Sequence, residues 1–451
     1  MTRKPHFDFV YVSSYNECDT GFIRGLSAAF AARGMRFAVA GYVSTYVESL
    51  IRGTGVEFFN LRRPGPLVPL PAADWPQLED RIGQPLSSFC FPEQRYYMTA
   101  PAKLAARAKA LLDGYEDLLD HISIGCFLHK LGAELVRRMA SVIGERRGVR
   151  TLYLGTFPAQ FAGRTFLHSK FWSERDDPVA PHPNTGDAIS FEQFSAMLDD
   201  VRHRRQVIHY PLTGNRGWNE AFAMVWSMMR NRESEFLLDI ASRQRELLRF
   251  RVRNIAASLA SSRRLPNTPF YFFPLHVFDD SQITVRNPHF YDQAWVIEMI
   301  ERSLPAGMKL VVKMHPGLDG AVPIAFLQRM RKLKRLHLLD ARVNAHDVVR
   351  KSNGVIVINS TVALEALIHE KPVYVLGHWT FGNLGLTRQM EDFRRLPEDL
   401  LALRHDRVEP GKINRVLYDL FGEMARFSYN RAPIDYDAMV RALASGGLRD
   451  A

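Results

Sequence analysis

Three polar clusters, each at the end of an apolar run, hold the residues of this 451-residue chain best suited to chemistry. Asp279, Asp280, Ser281 and Gln282 follow the run 270–277. Lys313, His315 and Pro316 close the run 309–314. Asn359, Ser360 and Thr361 follow the run 355–358, with Glu365 four residues after Thr361. Hydroxyls and free backbone N–H groups at a helix start favour a phosphate, and the helix dipole adds to this. A carboxylate one turn later, on the same side as Thr361, suits a ribose diol. Lys313 and His315 can donate to a phosphate or a sugar carboxylate. Each residue also has a plain structural use: Asp-Asp-Ser is good turn chemistry, and Ser and Thr cap helices. The clusters stand out because all three lie where strands end, the edge at which open α/β sheets take ligands.

The elements that must position them are read from periodicity. The β-branched run 355–358 predicts a buried strand. Residues 362–369 predict a helix broken at Lys371 and Pro372, and 373–376 a further strand. Upstream, 6–14 predicts a strand, 19–33 a helix closed by Gly34, and 35–41 a second strand. That βαβ opening argues for a parallel, doubly wound domain. Residues 103–122 and 128–145 read as helices and 150–155 as a strand. Residues 192–207 and 218–259 are mostly helical in pattern, and 261–269 is the best linker. The expected division is 1–260, 261–410, and terminal helices in 411–451 that return to the N-terminal domain.

Length predicts two α/β domains rather than one core. Hydrophobic content of 46% and aromatic content of 11% exclude a disordered chain. No apolar run approaches the roughly 20 residues that cross a bilayer. The start shows charge without a following apolar stretch, so no secretory leader is expected. Cys18, Cys90 and Cys126 are few and not at metal spacing, which fits a reducing cytoplasm and predicts no metal site. The net charge of +11 suits an anionic membrane surface or an acidic substrate. Nucleic-acid motifs are absent, so no nucleic-acid partner is expected.

The ordered motifs resemble the capsule polysaccharide synthesis family: Asp280–Ile283, then Lys313, His315 and Pro316, then Asn359–Leu367, then Lys371–Gly377, then Gly385–Thr387. That family contains bacterial retaining β-Kdo glycosyltransferases. The resemblance covers about residues 270–387, and the N-terminal half is similar only loosely. It implies two Rossmann-like domains facing a cleft in the glycosyltransferase B manner, with the donor nucleotide on the C-terminal domain. It implies CMP-Kdo or a related CMP-ulosonate as donor, an anionic glycan or glycolipid as acceptor, and a peripheral place on the inner membrane face. No cofactor or metal is implied. Retention implies two displacements through a covalent sugar intermediate, with Asp280 as nucleophile and Asp279, one residue earlier, as the alternative nucleophile. Gln282, Lys313, His315, Asn359, Ser360, Thr361, Glu365 and Gly377 become the donor-binding candidates. Arg164 and Lys170 are the candidates for the anionic acceptor, and Trp379 or Phe381 for stacking on the base. Family members typically carry a glutamate as general acid/base after an N-domain strand. Here the matching stretch 152–164 has Gln160 and no acid, which leaves Glu17 or Asp19 after the first strand. A cytidine-donor polyol-phosphate transferase of the wall-teichoic type, and a non-catalytic glycan-binding or capsule-assembly member, are the alternatives.

Overall fold

The computed structural model describes residues 4–15, 19–63, 65–97, 99–130, 132–155, 164–168, 189–204, 218–242, 244–245, 260–315, 322–379, 381–424, 426–427, 429 and 433–447. Two six-stranded sheets organise them. The first comprises β1 (His6–Ser13), β2 (Phe37–Gly41), β3 (Glu57–Asn60), β4 (Ser123–Lys130), β5 (Arg150–Gly155) and β6 (Phe166–His168). Its order is β3-β2-β1-β4-β5-β6, parallel except for β6. The second comprises β7 (Phe270–Pro274), β8 (Lys309–Lys313), β9 (Leu336–Leu339), β10 (Gly354–Val357), β11 (Val373–Val375) and β12 (Arg388–Gln389). Its order is β12-β11-β10-β7-β8-β9, all parallel. Both sheets therefore have the doubly wound Rossmann topology, whose strand order reverses once.

Parallel strands are covered on both faces and so read as near-continuous apolar runs. In β1, Val10 and Val12 enter one core while Phe9 and Tyr11 enter the other. In β7, Tyr271 and Phe273 face one core while Phe270 and Phe272 face its opposite. The helices of the first unit are α1 (Thr20–Ala31), α2 (Thr45–Arg52), α3 (Trp75–Ile82), α4 (Leu86–Phe89), α5 (Phe91–Tyr97), α6 (Pro101–His121) and α7 (Leu135–Arg147). The expected helix over 128–145 is present from Leu135 as α7, and its start is corrected: 123–130 is a strand, central in the sheet beside β1. The stretch hid because α6 enters it with no Gly or Pro break, while Gly125 and Cys126 weaken its strand pattern.

The chain does not divide cleanly near residue 260. Helix α8 (Phe191–Arg204) places Phe194 and Leu198 in the core of the second sheet, against Leu417 and Phe421. Helix α9 (Trp218–Arg230) returns to the first unit, where Met224 and Met228 are buried. The expected long helix from 218 is interrupted just after α9, where Arg232 takes a left-handed φ of 55°. Of the terminal helices, Pro410–Glu423 stays with the second unit and Tyr436–Gly447 packs on α1, with Arg33 and Asp437 paired at 2.6 Å.

A buried ionic network ties the segment after α9 to the first sheet. Glu233 accepts from Thr45 N at 2.9 Å and pairs with Arg62 at 3.2 Å. Glu235 pairs with Arg62 at 2.8 Å and accepts from the Tyr42 hydroxyl. Asp239 pairs with Arg107 at 2.6 Å and accepts from Thr99. Buried charges persist only when paired in this way. The two units touch where Phe91 meets Tyr291 edge-on at 4.9 Å, with the Arg95 guanidinium over both rings.

Candidate functional site

In the second sheet the strand order reverses between β7 and β10. The crevice beyond the carboxyl ends of those two strands is where a doubly wound sheet takes a ligand. The segment after β7 and the segment after β10 meet there. Asn359 Nδ2 donates to Gln282 Oε1 at 2.8 Å and to the Gln282 carbonyl at 3.2 Å. The switch point is thus closed by a side-chain bridge between two of the predicted clusters. Asn359 is buried, and its Oδ1 has no hydrogen-bond partner. An orphaned buried acceptor of this kind is costly and marks a place for a donor group.

Asp280 sits at the head of the short helix Ser281–Thr284. Its Oδ1 accepts from Gln282 N at 3.0 Å and Ser281 Oγ at 3.3 Å. Its carboxylate faces three further groups, His276, His315 and Arg286, and favours the charged form of each. Burial acts first and the other way on all three. It pushes His276 down to about 4, and lowers His315 and Arg286. Both imidazoles are therefore neutral at physiological pH, and Nε2 of His276 is buried without a hydrogen-bond partner. Arg286 Nη1 donates to Gln282 Oε1 at 3.2 Å, which joins the cation to the Asn359 bridge. The charge of Asp279 acts on Tyr291, which burial, first of all, raises. The two adjacent carboxylates thus serve different surroundings, and the histidine–arginine cluster belongs to Asp280.

Four residues that the sequence reading did not single out complete this arrangement. Gln293, fully buried, accepts from His276 N at 2.8 Å and donates to the His276 carbonyl at 3.1 Å, which fixes the strand end. Asn287 accepts from His378 N at 2.7 Å and donates to the Gln282 carbonyl at 3.2 Å. Arg286 is the third. The fourth, His168, comes from β6 of the first sheet. It is buried, pushed down to about 3 by desolvation and then by Arg286. Gln293, Asn287 and His168 each act on a residue well removed in sequence, whereas Arg286 meets Gln282 four residues before it, a spacing that the sequence does offer.

The remaining predicted residues divide. Gly377 lies beside the bridge, where a Cβ would meet Asn287 Oδ1 at 2.2 Å; glycine leaves room for the Asn287–His378 bond. Ser360 Oγ accepts from Val362 N at 3.2 Å, whereas the exposed Thr361 makes no capping hydrogen bond. Glu365 is buried rather than solvent-facing, and its charge acts on Lys313. Lys313 is buried and donates to the carbonyls of Met314 at 3.2 Å and Ala341 at 3.0 Å. Burial, outweighing Glu365 and Asp340, lowers it to about 8. Arg164 rests against the Phe421 ring at 4.3 Å, lowered to about 10 by burial and then by Arg426. Asp19 caps α1, with Oδ1 accepting from Phe22 N at 2.9 Å, so its carboxylate is engaged in the helix end. Glu17, Gln160, Pro316 and Lys170 lie outside the described residues. Trp379 is packed in a core edge-on to Phe381 rather than open to a base. Among the described residues no cluster of three or more His, Cys, Asp or Glu could hold a metal.

Comparisons with known proteins place this site within a shared segment. Residues 227–400 match the model of a family described as capsule polysaccharide biosynthesis protein. The capsule polysaccharide modification protein LipB of Neisseria meningitidis serogroup A is 30% identical over 133 residues, 27% of this chain and 30% of that protein. The capsule polysaccharide export protein KpsS of Escherichia coli is 32% identical over 131 residues, 27% of this chain and 33% of that protein. The aligned stretch spans about a third of the length of these curated relatives. Among solved structures, KpsC of Thermosulfurimonas dismutans, described as a beta Kdo 2,7 transferase, is 15% identical with a TM-score of 0.37, covering 74% of this chain and 89% of that one. The glycotransferase of kitacinnamycin is 13% identical with a TM-score of 0.30, covering 98% of this chain and 99% of that one. Asp280, His315, Asn359 and Gly377 all fall inside residues 227–400, the segment of this chain that matches the model described as capsule polysaccharide biosynthesis protein.

Proposed function

We propose that this chain is a glycosyltransferase of capsule or surface polysaccharide synthesis. It takes Kdo, or a related ulosonate, from a CMP-sugar and transfers it with retention to an anionic glycan or glycolipid at the inner face of the membrane. The observation that carries this reading is the Asn359–Gln282 bridge across the switch point, with Asp280 beside two neutral histidines and Arg286. A CMP-sugar brings one phosphate, a ribose, a base and a sugar carboxylate. Arg286 and the histidine N–H groups suit its anionic groups, and Asn359 Oδ1 suits a hydroxyl or amino donor.

In the first step the Asp280 carboxylate attacks the anomeric carbon. The bond from that carbon to the phosphate oxygen breaks, and CMP leaves with the electron pair. In the second step an acceptor hydroxyl oxygen attacks the same carbon, the acyl-sugar bond breaks, and the carboxylate is restored. The hydroxyl proton passes to a base on the acceptor side. A cation and hydrogen-bond donors stabilise the leaving phosphate, so we propose that no metal is needed. The capsule-related names of LipB and KpsS, and the family match over 227–400, support the biological setting. Among the described residues no helix is long and apolar enough to cross a membrane.

Donor turnover tests the reading. Purified protein given CMP-Kdo or CDP-glycerol, with released CMP measured, should consume the first and spare the second. Release from CDP-glycerol alone points to polyol-phosphate transfer. CMP binding without release from either donor points to a glycan-binding or assembly role.

A further inference from the structure

We propose that the outer face of α9 is a docking surface for an anionic lipid bilayer; this rests on the reading that the acceptor is met at a membrane. Phe222, Trp226 and Met229 recur at the spacing of one helical stripe and are 72%, 57% and 52% exposed. The Phe222 and Trp226 rings stack with centroids 6.4 Å apart and planes at 15°. The opposite stripe, Met224 and Met228, is already buried in the core of the first sheet. The helix therefore needs no further apolar packing to fold, and its outer stripe is surplus. A contiguous apolar patch of large side chains is uncommon on a soluble surface without a partner.

Charge identifies the partner. In the segment after α9 the acids Glu233, Glu235 and Asp239 turn inward to Thr45, Tyr42, Arg62, Thr99 and Arg107. The basic Arg230, Arg232 and Arg245 turn outward, so the rim beside the stripe is cationic; Glu220 is the acid left exposed on α9. Aromatic and sulfur side chains flanked by arginines are suited to the interface of an anionic bilayer, where the rings enter the headgroup boundary and the guanidiniums meet phosphates. A second copy would instead set like charges against each other. The chain's net charge of +11 acts in the same direction.

Co-sedimentation of the full chain with phosphatidylcholine vesicles, with and without phosphatidylserine, tests this. The wild type should sediment with the anionic vesicles. The combined Phe222→Ser, Trp226→Ser, Met229→Ser variant should partition more than about tenfold more weakly. Arg230→Gln with Arg232→Gln should weaken binding and reduce its salt sensitivity. Circular dichroism and CMP binding should stay unchanged in both variants, since α9 packs on the first sheet and the switch point belongs to the second. If the wild type binds and the triple-serine variant binds equally, the α9 proposal is wrong while the membrane reading stands. If the wild type binds no vesicle, both fail. If the wild type ignores vesicles and dimerises, and the triple-serine variant stays monomeric, the face belongs to a second copy and the proposal is overturned.

Discussion

Replacing Asp280 by asparagine separates charge from geometry at the proposed centre. The side chain heads the helix Ser281–Thr284 by accepting from Gln282 N at 3.0 Å. Its carbonyl accepts from Ile283 N and Thr284 N whatever the side chain. Asparagine caps about as well as aspartate, so the stability cost should be below about 1 kcal/mol. The electrostatic effect is larger. His276 and His315 lose the one group that favours their charged forms and move further down, and Arg286 loses the same support. Loss of a carboxylate nucleophile should lower transfer by roughly a thousandfold or more, with CMP affinity little changed, because the nucleophile acts mainly in the transition state. Asp279→Asn is the control: that carboxylate faces Tyr291, so turnover should fall far less. The assay is CMP release at saturating CMP-Kdo, with calorimetric CMP binding and urea unfolding on the same preparations. Near wild-type turnover in Asp280→Asn would refute the reasoning. A large loss of CMP affinity in step with turnover would also refute it, by making Asp280 a binding residue.

Three further outcomes follow from the packing and the buried charges. Gly377→Ala would put a Cβ 2.2 Å from Asn287 Oδ1 and displace the Asn287–His378 bond, so urea unfolding should show a loss of about 1–3 kcal/mol, and CMP should bind more weakly. Burial holds His168 at about 3, His276 at about 4 and His129 well below the usual histidine range, while the unfolded chain titrates near 6.5. Their stability contribution is full above that pH and is lost as the pH falls toward the folded values. Each should cost about 2 kcal/mol at pH 5 relative to pH 7.5, a slope that His129→Leu should reduce and that a flat profile would contradict. Asp239→Ala removes one of the two carboxylates beside the buried Arg107, at 2.6 Å, while Glu93 remains at 3.5 Å, and should cost about 1–3 kcal/mol in urea unfolding; Arg107→Met, which leaves both buried carboxylates without their cation, should cost more, about 3–5 kcal/mol, and a smaller loss than in Asp239→Ala would reject the network.

Features set by short-range chemistry were legible in the sequence. The runs that became β1, β7, β8 and β10 are apolar, aromatic in β7 and β-branched in the others, because parallel strands are buried on both faces, and polar clusters begin where burial ends. The Asp279–Gln282 and Asn359 clusters could be seen, but not that Gln282 and Asn359 would bond across 77 residues. His276 lies at the end of an apolar run and looks like part of it until Gln293 is seen to hold its backbone. Arg286 reads as a surface arginine because its burial and its approach to His168 of the first sheet are set by long-range packing. Asp19 was open to two readings, and the hydrogen bond to Phe22 N assigns it to the helix end. The crossing of α8 to the second unit follows from long-range packing of Phe194 and Leu198, which periodicity alone cannot direct.

In the proposed reaction Asp280 carries the sugar between donor and acceptor. The most direct measurement is intact-protein mass spectrometry, with peptide mapping, after rapid quenching of the enzyme with CMP-Kdo and no acceptor. The wild type should carry one covalently bound sugar residue per chain and release CMP in equal amount, with the adduct mapped to Asp280 and absent from Asp280→Asn. Product formed with inverted anomeric configuration and no adduct, or an adduct on another residue that survives in Asp280→Asn, would contradict it.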